Sequence, residues 1–355
     1  MRLLYVCADR GVHVGGTKGA SVHVHELTRA LAAAGADVVV AAASVVDGAP
    51  APPGVRVTRV PSSALDALAH DVLPDVMYER VALHATTGSR AARALGIPHL
   101  VELNAPLVEE AARYRTLERP DDAVGAELEV LTNAAIVLPV SAPLAAHARE
   151  RGARRVEVVP NAVDLDRFAA QARHDAGGRP VAVLAGNLRP WHGADVVAGA
   201  WRAMDDGAPA LLVVGDGHGR EELAAVGAIV TGALPYDDVP ALIARAHIGL
   251  VPYVADAPPY FSPLKLFEYL AAGLAVVAAD VAGVTEIVDR STAVVVPPGD
   301  AGAMADAVRA LAADPDRRAE MGAAGRALVA AHHTWASRAA RVLDLARDLA
   351  GTVVA

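Results

Sequence analysis

A chain of 355 residues is long enough for two domains, each with its own core. Hydrophobic residues make up 54% and aromatics 4%, so the cores are aliphatic, and a formal charge of −9 argues against a nucleic-acid partner held by overall charge. The single cysteine, Cys7, excludes a disulfide framework and a cysteine metal site, and it fits a reducing cytoplasm. The apolar run at the N-terminus is too short for a signal peptide, and none reaches the roughly 20 residues of a membrane span.

In chain order, residues 2–8 read as a buried strand, followed by a glycine-rich loop and a helix over 21–34 closed by Gly35. A second strand, ADVVVAAA, completes a β–loop–α–β unit, which opens a parallel doubly wound sheet. Alternation continues through GVRVTRV, a helix over 63–70, DVMYER, a helix in TTGSRAARALG, PHLVELN, and a helical region over 109–132 interrupted near Pro120. AAIVLPVS, the helix APLAAHARERG and a last strand VEVVPN finish the half. Residues 165–180 read as a linker. The second half then runs strand 181–187, helix 194–204, PALLVVGDG, helix 220–225, AIVTGAL, helix 239–246 and HIGLVPY. A helix over 263–272, LAVVAAD, a helix over 284–289, TAVVVPPGD and helices over 301–312, 316–332 and 335–349 follow. The reading is α/β: two doubly wound domains, with ligands expected at the carboxyl ends of the strands, in a cleft between the domains.

The stretch 261–273, FSPLKLFEYLAAG, is the most informative. Ser262 reads as an N-cap and Pro263 as the first helical residue, leaving the N–H groups of Leu264 and Lys265 free at the positive end of the helix dipole. A phosphate fits there, and Lys265 adds a full charge. Glu268, one turn on, could take two ribose hydroxyls. Taken alone, the same residues are also an ordinary helix start and an i, i+3 pair. In VGGTKGASVHVHEL, Gly15, Gly16 and Gly19 read either as a phosphate-cradle loop or as a flexible βα loop, and match neither the dinucleotide nor the Walker spacing. GNLRPWHGAD mirrors it in the second half; Arg189 and His192 can reach anionic oxygens and Trp191 can wall a pocket, or the His is satisfied and the Trp packs within the loop. VGDGHGREEL reads as a strand–turn–helix corner rather than a dinucleotide fingerprint. Asp164 and Asp166 read as turn and cap residues, not as metal ligands. In VELNAPLVEE, Glu102 and Asn104 emerge from the end of a buried strand.

Eight segments taken together, in order, resemble family 4 retaining glycosyltransferases of the GT-B fold. They are VGGTKGASVHVHEL, DVMYER, LVELNAPLVEE, VVPNAVDLDRF, LAGNLRPWHGAD, LLVVGDG, VTGALPYDDVPALIARAHIGLVPY and FSPLKLFEYLAAGLAVVAADVAGVTEIV. The resemblance implies an N-terminal Rossmann-like acceptor domain over 1–165, with a C-terminal helix at about 335–350 crossing back to it, and a donor domain over 166–334. It implies sugar transfer from a nucleotide-diphosphate sugar, with retention and no bound metal. Residues Ser262, Pro263, Leu264 and Lys265 would hold the diphosphate and Glu268 the ribose. The stretch 230–234, with Thr231, Gly232 and Ala233 in it, would line the base. Gly186, Asn187, Arg189 and His192 would face the phosphates, and Gly15 and Gly16 would close over them. His23 and Asn104 would lie on the acceptor side.

The chain departs from the family pattern at five positions. Tyr260 stands where a second Glu is usual, so Asp256 or backbone groups would serve the donor sugar. Pro263 replaces a Gly, Asn187 an Arg, His192 a Lys, and Asn104 a His. Lys265 and Arg189 would replace the lost charge, and PWHG with SPLK marks a subgroup with this variant site. The implied mechanism is a front-face substitution, with Glu102 as a candidate general base. The acceptor is expected to be a small polar molecule or secondary metabolite. Rival readings are a nucleotide-sugar epimerase, a phosphorylase, a two-domain binding protein and a degenerate donor-binding homologue. The sequence does not fix the base, the sugar, or the oligomeric state, a homodimer included.

Overall fold

The apolar runs and amphipathic stretches fold as regularly alternating strands and helices. The computed structural model describes residues 1–169, 178–204 and 207–353. The chain divides into two units, Met1–Pro160 with Trp335–Ala355, and Asn161–Thr334. In the first unit the elements are β1 (Arg2–Cys7), α1 (Gly19–Ala33), β2 (Asp37–Ala42), β3 (Val55–Arg59), α2 (Leu65–Val72) and β4 (Val76–Arg80). They continue as α3 (Thr87–Leu95), β5 (His99–Leu103), α4 (Leu107–Tyr114), α5 (Pro120–Asn133), β6 (Ile136–Pro139) and α6 (Ala142–Glu150). The second unit has β7 (Val181–Ala185), α7 (Ala194–Arg202), β8 (Ala210–Val214), α8 (Arg220–Ala225), β9 (Ile229–Val230), α9 (Val239–Ile243) and β10 (Ile248–Val251). It is completed by α10 (Leu264–Ala271), β11 (Ala275–Ala279), α11 (Ala282–Thr285), β12 (Ala293–Val296), α12 (Ala301–Ala313) and α13 (Pro315–His332). The last helix, α14 (Trp335–Val353), belongs to the first unit.

Each unit holds one six-stranded sheet, ordered β3-β2-β1-β4-β5-β6 and β12-β11-β10-β7-β8-β9. All the strand pairs are parallel. Strands such as β1 and β11 are buried on both faces because helices cover both sides, which explains their unbroken apolar runs. Chain order reverses direction at β1/β4 and at β7/β10, and these two switch points are where such sheets take ligands.

Three expectations need correction. The segment 156–161 is not a strand. It runs beside β6, with Glu157 N–H donating to the Val137 carbonyl and Val159 N–H to the Pro139 carbonyl, but Pro139 has no N–H to continue the ladder. Only a bridge at Val137–Val156 survives. The first unit ends at Pro160 rather than at 165, because Val163 bridges Thr334 and Phe168 is buried in the second unit's core. The short helix expected over 284–289 is Ala282–Thr285. Of the stretch read as a linker, 170–177 lies outside the described residues.

Candidate functional site

In the second unit the loops after β7 and β10 meet at the start of α10. Tyr269 of α10 accepts a hydrogen bond from the Ala185 N–H at 2.7 Å, and this pins the helix to the end of β7. Gly249 leaves room for it, since a Cβ there would stand 2.5 Å from the Tyr269 ring. The loop before α10 is fixed by aromatic packing. Phe261 stacks on Tyr253 at 5.2 Å and on Trp191 at 6.2 Å between centroids. Tyr260, where a second Glu was the usual residue, packs on Phe261 at 4.7 Å. Gly283 lets this loop pass, because a Cβ would lie 1.6 Å from the Phe261 carbonyl oxygen.

Here the structure corrects the reading of Ser262 and Pro263. Helix α10 starts at Leu264 with Pro263 as its cap, and Ser262 caps nothing. Its hydroxyl instead accepts the Asn161 N–H at 3.1 Å, and its carbonyl accepts the Asn161 amide at 2.5 Å. Asn161 thereby orients the helix start.

Lys265 is buried, 9% exposed. Burial pushes its pKa down to about 8, with the Glu268 charge acting the other way. Its ammonium makes no hydrogen bond or ion pair among the described residues. It lies against Gly186, whose φ is +120°, and a Cβ there would come within 3.8 Å of Nζ. Glu268 is buried too, and accepts a hydrogen bond from the Tyr236 hydroxyl at 3.0 Å. Tyr236 in turn lies under the Arg167 guanidinium at 5.1 Å. Lys265 and Glu268 are therefore not an ordinary solvent-exposed i, i+3 pair.

The loop after β7 carries the other candidates. Gly186, Asn187 and Arg189 are exposed. Burial, then the charges of Lys265 and Arg189, hold the His192 imidazole well below its usual pKa. His192 is therefore neutral at pH 7, and of the two only Arg189 supplies the cationic contact expected of this loop. The His192 Nδ1 lies 3.2 Å from the Arg189 N–H and 3.1 Å from the Asn187 carbonyl, so one tautomer accepts and the other donates. Thr231 accepts the Gly215 N–H at 3.2 Å and donates to the Gly232 carbonyl at 2.9 Å, with exposed Ala233 next in the chain.

The glycines of VGDGHG have a packing role. Leu188 N–H donates to the Asp216 carbonyl and His218 N–H to the Leu188 carbonyl. A Cβ on Gly215 would lie 2.1 Å from the Gly186 carbonyl oxygen, at a φ of +142° that side chains rarely adopt. Gly215→Ala should therefore displace the loop bearing Gly186. We expect a lower melting temperature together with weaker nucleotide binding, read by calorimetry and titration; a variant matching the parent in both would refute this. Asp164 accepts the backbone N–H of Asp166 and Arg167 at 2.9 and 3.2 Å, a turn role. Among the described residues no cluster of three or more His, Cys, Asp or Glu could hold a metal ion.

In the first unit Gly15 sits at φ +85° after β1, where a Cβ would meet Ala49 at 2.5 Å, and at Gly16 a Cβ would meet the His13 carbonyl oxygen at 2.9 Å. Both positions require glycine, so the loop is shaped by its backbone. Glu102 is buried at the end of β5. It accepts from Arg80 at 2.5 Å, His23 at 2.8 Å, Tyr78 at 3.0 Å and Tyr5 at 3.5 Å. Burial alone would raise its pKa, but the His23 and Arg80 contacts outweigh it and hold the carboxyl at about 2. A carboxylate so saturated is a poor proton acceptor, which corrects the general-base expectation. His23 is likewise buried between Glu102 and the Trp335 ring, 5.2 Å away edge-on, and does not present itself to an acceptor. Asn104 is half-buried, with its Oδ1 unpartnered.

Sequence reasoning missed this network because its members come from α1, β1, β4 and β5. It also missed Tyr236 and Asn161. One overlooked signal was composition. The chain has 2 lysines against 30 arginines, and both, Lys18 and Lys265, stand at a glycine loop or helix start.

Two units with parallel sheets in Rossmann-like order, each with glycine loops at its switch point, define the GT-B class of glycosyltransferase folds. Comparisons with known proteins agree. A model described as Glycosyltransferase Family 4 matches residues 17–167, and one described as Glycosyl transferases group 1 matches residues 179–314. A GDP-mannose-dependent alpha-(1-6)-phosphatidylinositol monomannoside mannosyltransferase of Mycobacterium tuberculosis (strain ATCC 25618 / H37Rv) is 34% identical over 55% of this chain. That match spans just over half, 56%, of the relative's own length. A D-inositol 3-phosphate glycosyltransferase of Xylanimonas cellulosilytica is 29% identical over 93% of this chain and 92% of that one. The sucrose-phosphate synthase structure from Thermosynechococcus elongatus superposes with TM-score 0.79 at 20% identity, over 99% of this chain and 100% of that one. An Anabaena HepE structure holding UDP and glucose gives 0.77 at 17%, over 98% and 100%. Each half of the chain thus matches a glycosyltransferase family model, and the fold is that of GT-B structures. Among the described residues no helix is long and apolar enough to cross a membrane.

Proposed function

We propose that this protein transfers a glycosyl group from a nucleotide-diphosphate sugar to a small polar acceptor, with retention at the anomeric carbon. The observation that carries the reading is Lys265: a buried cation without an ion-pair partner, at a helix start, beside a glycine. A buried cation with no direct ion pair, only the nearby Glu268 charge, is costly, and a diphosphate supplies the missing contact. The N–H groups of Leu264 and Lys265, the Lys265 ammonium and Arg189 stabilise the leaving diphosphate as its charge develops. Glu268, oriented by Tyr236, takes the ribose hydroxyls. The turn at Thr231, Gly232 and Ala233 borders the base. The acceptor hydroxyl attacks on the face the diphosphate leaves and gives its proton to a phosphate oxygen. These groups supply the positive charge the leaving group needs, so turnover is proposed to be metal-independent.

The test is melting temperature against a panel of nucleoside diphosphates, with GDP and UDP included, first in EDTA and then in magnesium. One nucleotide should raise it, by a stabilisation of about 2.7 kcal/mol at 100 times its Kd. The matching nucleotide-sugar should then yield an α-linked product by NMR if the donor is α-linked. No shift with any nucleotide overturns the reading. Binding without turnover would instead make the chain a donor-binding relative that does not transfer.

A further inference from the structure

The loops beyond β1, β3 and β4 and the start of α4 enclose a cavity of about 300 Å³ in the first unit, lined in part by Asp9, Arg10, Ser62, His84, Glu110 and Arg115. It stands at this sheet's switch point, beyond the ends of β1 and β4. His84 marks it twice. Its φ is +59°, a left-handed conformation that non-glycine residues hold only when their surroundings enforce it. Its Nδ1 is buried without a hydrogen-bond partner. Two more buried atoms without partners, Thr87 Oγ1 and Asn104 Oδ1, lie in the segments that follow β4 and β5. Buried polar atoms are nearly always satisfied, so an unpartnered His84 Nδ1 in the cavity lining, at the carboxyl end of the sheet, marks where a polar ligand or water belongs.

The lining selects the ligand. Glu110 accepts from Arg115 at 2.9 Å, and Asp9 accepts the Gly11 N–H at 2.7 Å. Two carboxylates and two guanidiniums share one small space, so their formal charges cancel. A phosphate would face the carboxylates, and an ammonium the guanidiniums. A hydroxyl both donates and accepts, and meets either. The volume is at the low end for ligand pockets, which suits one or two sugar-sized rings. We propose that this cavity binds a small neutral polyol, a cyclitol or monosaccharide, positioned by His84, Asp9 and Glu110. That the polyol is the acceptor rests on the transferase reading; that it binds does not.

The experiment is ligand-observed NMR titration of the intact protein without donor, using myo-inositol, glucose, inositol 3-phosphate and 2-deoxystreptamine. A neutral polyol should bind, and His84→Ala or Asp9→Asn should weaken it about tenfold. His84→Asn, which tolerates the left-handed backbone, should also weaken binding while keeping the parental melting temperature. Nucleoside diphosphate binding, measured in the same samples, should be unchanged. Binding of only the charged probes, no binding, or indifference to both His84 and Asp9 overturns the proposal. Polyol binding without any nucleotide binding would sustain it and sink the donor reading instead.

Discussion

Lys265→Met is expected to weaken nucleoside diphosphate binding about 10- to 100-fold while raising the melting temperature of the free protein. The first effect follows from losing a charge-assisted contact, worth about 1.5–3 kcal/mol. If the ammonium also meets charge that develops in the transition state, kcat/KM should fall about 10²- to 10³-fold. The second effect follows from burial. The unfolded chain holds this proton with the ordinary lysine value of 10.5, the folded chain with about 8. Between those values the unfolded state binds more protons, so stability rises with pH through that window. Below pH 8 the cost of the buried charge is present in full, on the order of 3 kcal/mol. Methionine fills the same space without that cost. A structural lysine would show the opposite, a destabilised variant that still binds nucleotide. The same titration predicts that diphosphate binding weakens above pH 8 in the parent and not in the variant. With only two lysines in the chain, amine acylation rates read by mass spectrometry give the Lys265 pKa directly.

Glu102→Gln is expected to destabilise the first unit by about 3–5 kcal/mol, because it leaves the largely buried Arg80 guanidinium without its counter-charge. Its unfolding transition should fall by roughly 6–20 °C in calorimetry. The carboxyl is held at about 2 against an ordinary 4.5, so its contribution is whole above pH 4.5 and is lost as pH falls through that window. The parent should therefore lose stability below pH 4.5 more steeply than the variant. At low temperature, where both are folded, turnover should differ by no more than about threefold, whereas loss of a general base would cost about 10²- to 10⁴-fold. A large drop in kcat with an unchanged transition would restore the base role.

The sheets were legible because parallel strands buried on both faces are written as apolar runs, and helix ends by glycine, as at Gly96 and Gly273. Edges were less legible. Residues 228–234 read as one strand but pair only over Ile229–Val230, since Gly232 turns the chain at φ +77°. The helix start carrying Lys265 was found from its own sequence, yet its cap was misassigned. Ser262 looked like a cap until Asn161, about a hundred positions away, claimed its hydroxyl. The Glu102 network and the cavity at His84 were invisible for the same reason. Each is built from strand ends that only the sheet order brings together, and no local pattern records a register.

The placement of α14 has a consequence for how the chain is made. The second unit is inserted into the first, between Pro160 and Trp335. A nascent chain thus extrudes the whole of the second unit before the helix that completes the first. Until then the face of α1 that α14 covers has no partner, and His23 lacks the Trp335 ring. The usual order, in which the N-terminal domain is finished first, is inverted here. The first domain to be started is the last to be closed. During that interval its uncovered helix face is the surface on which a chaperone would act.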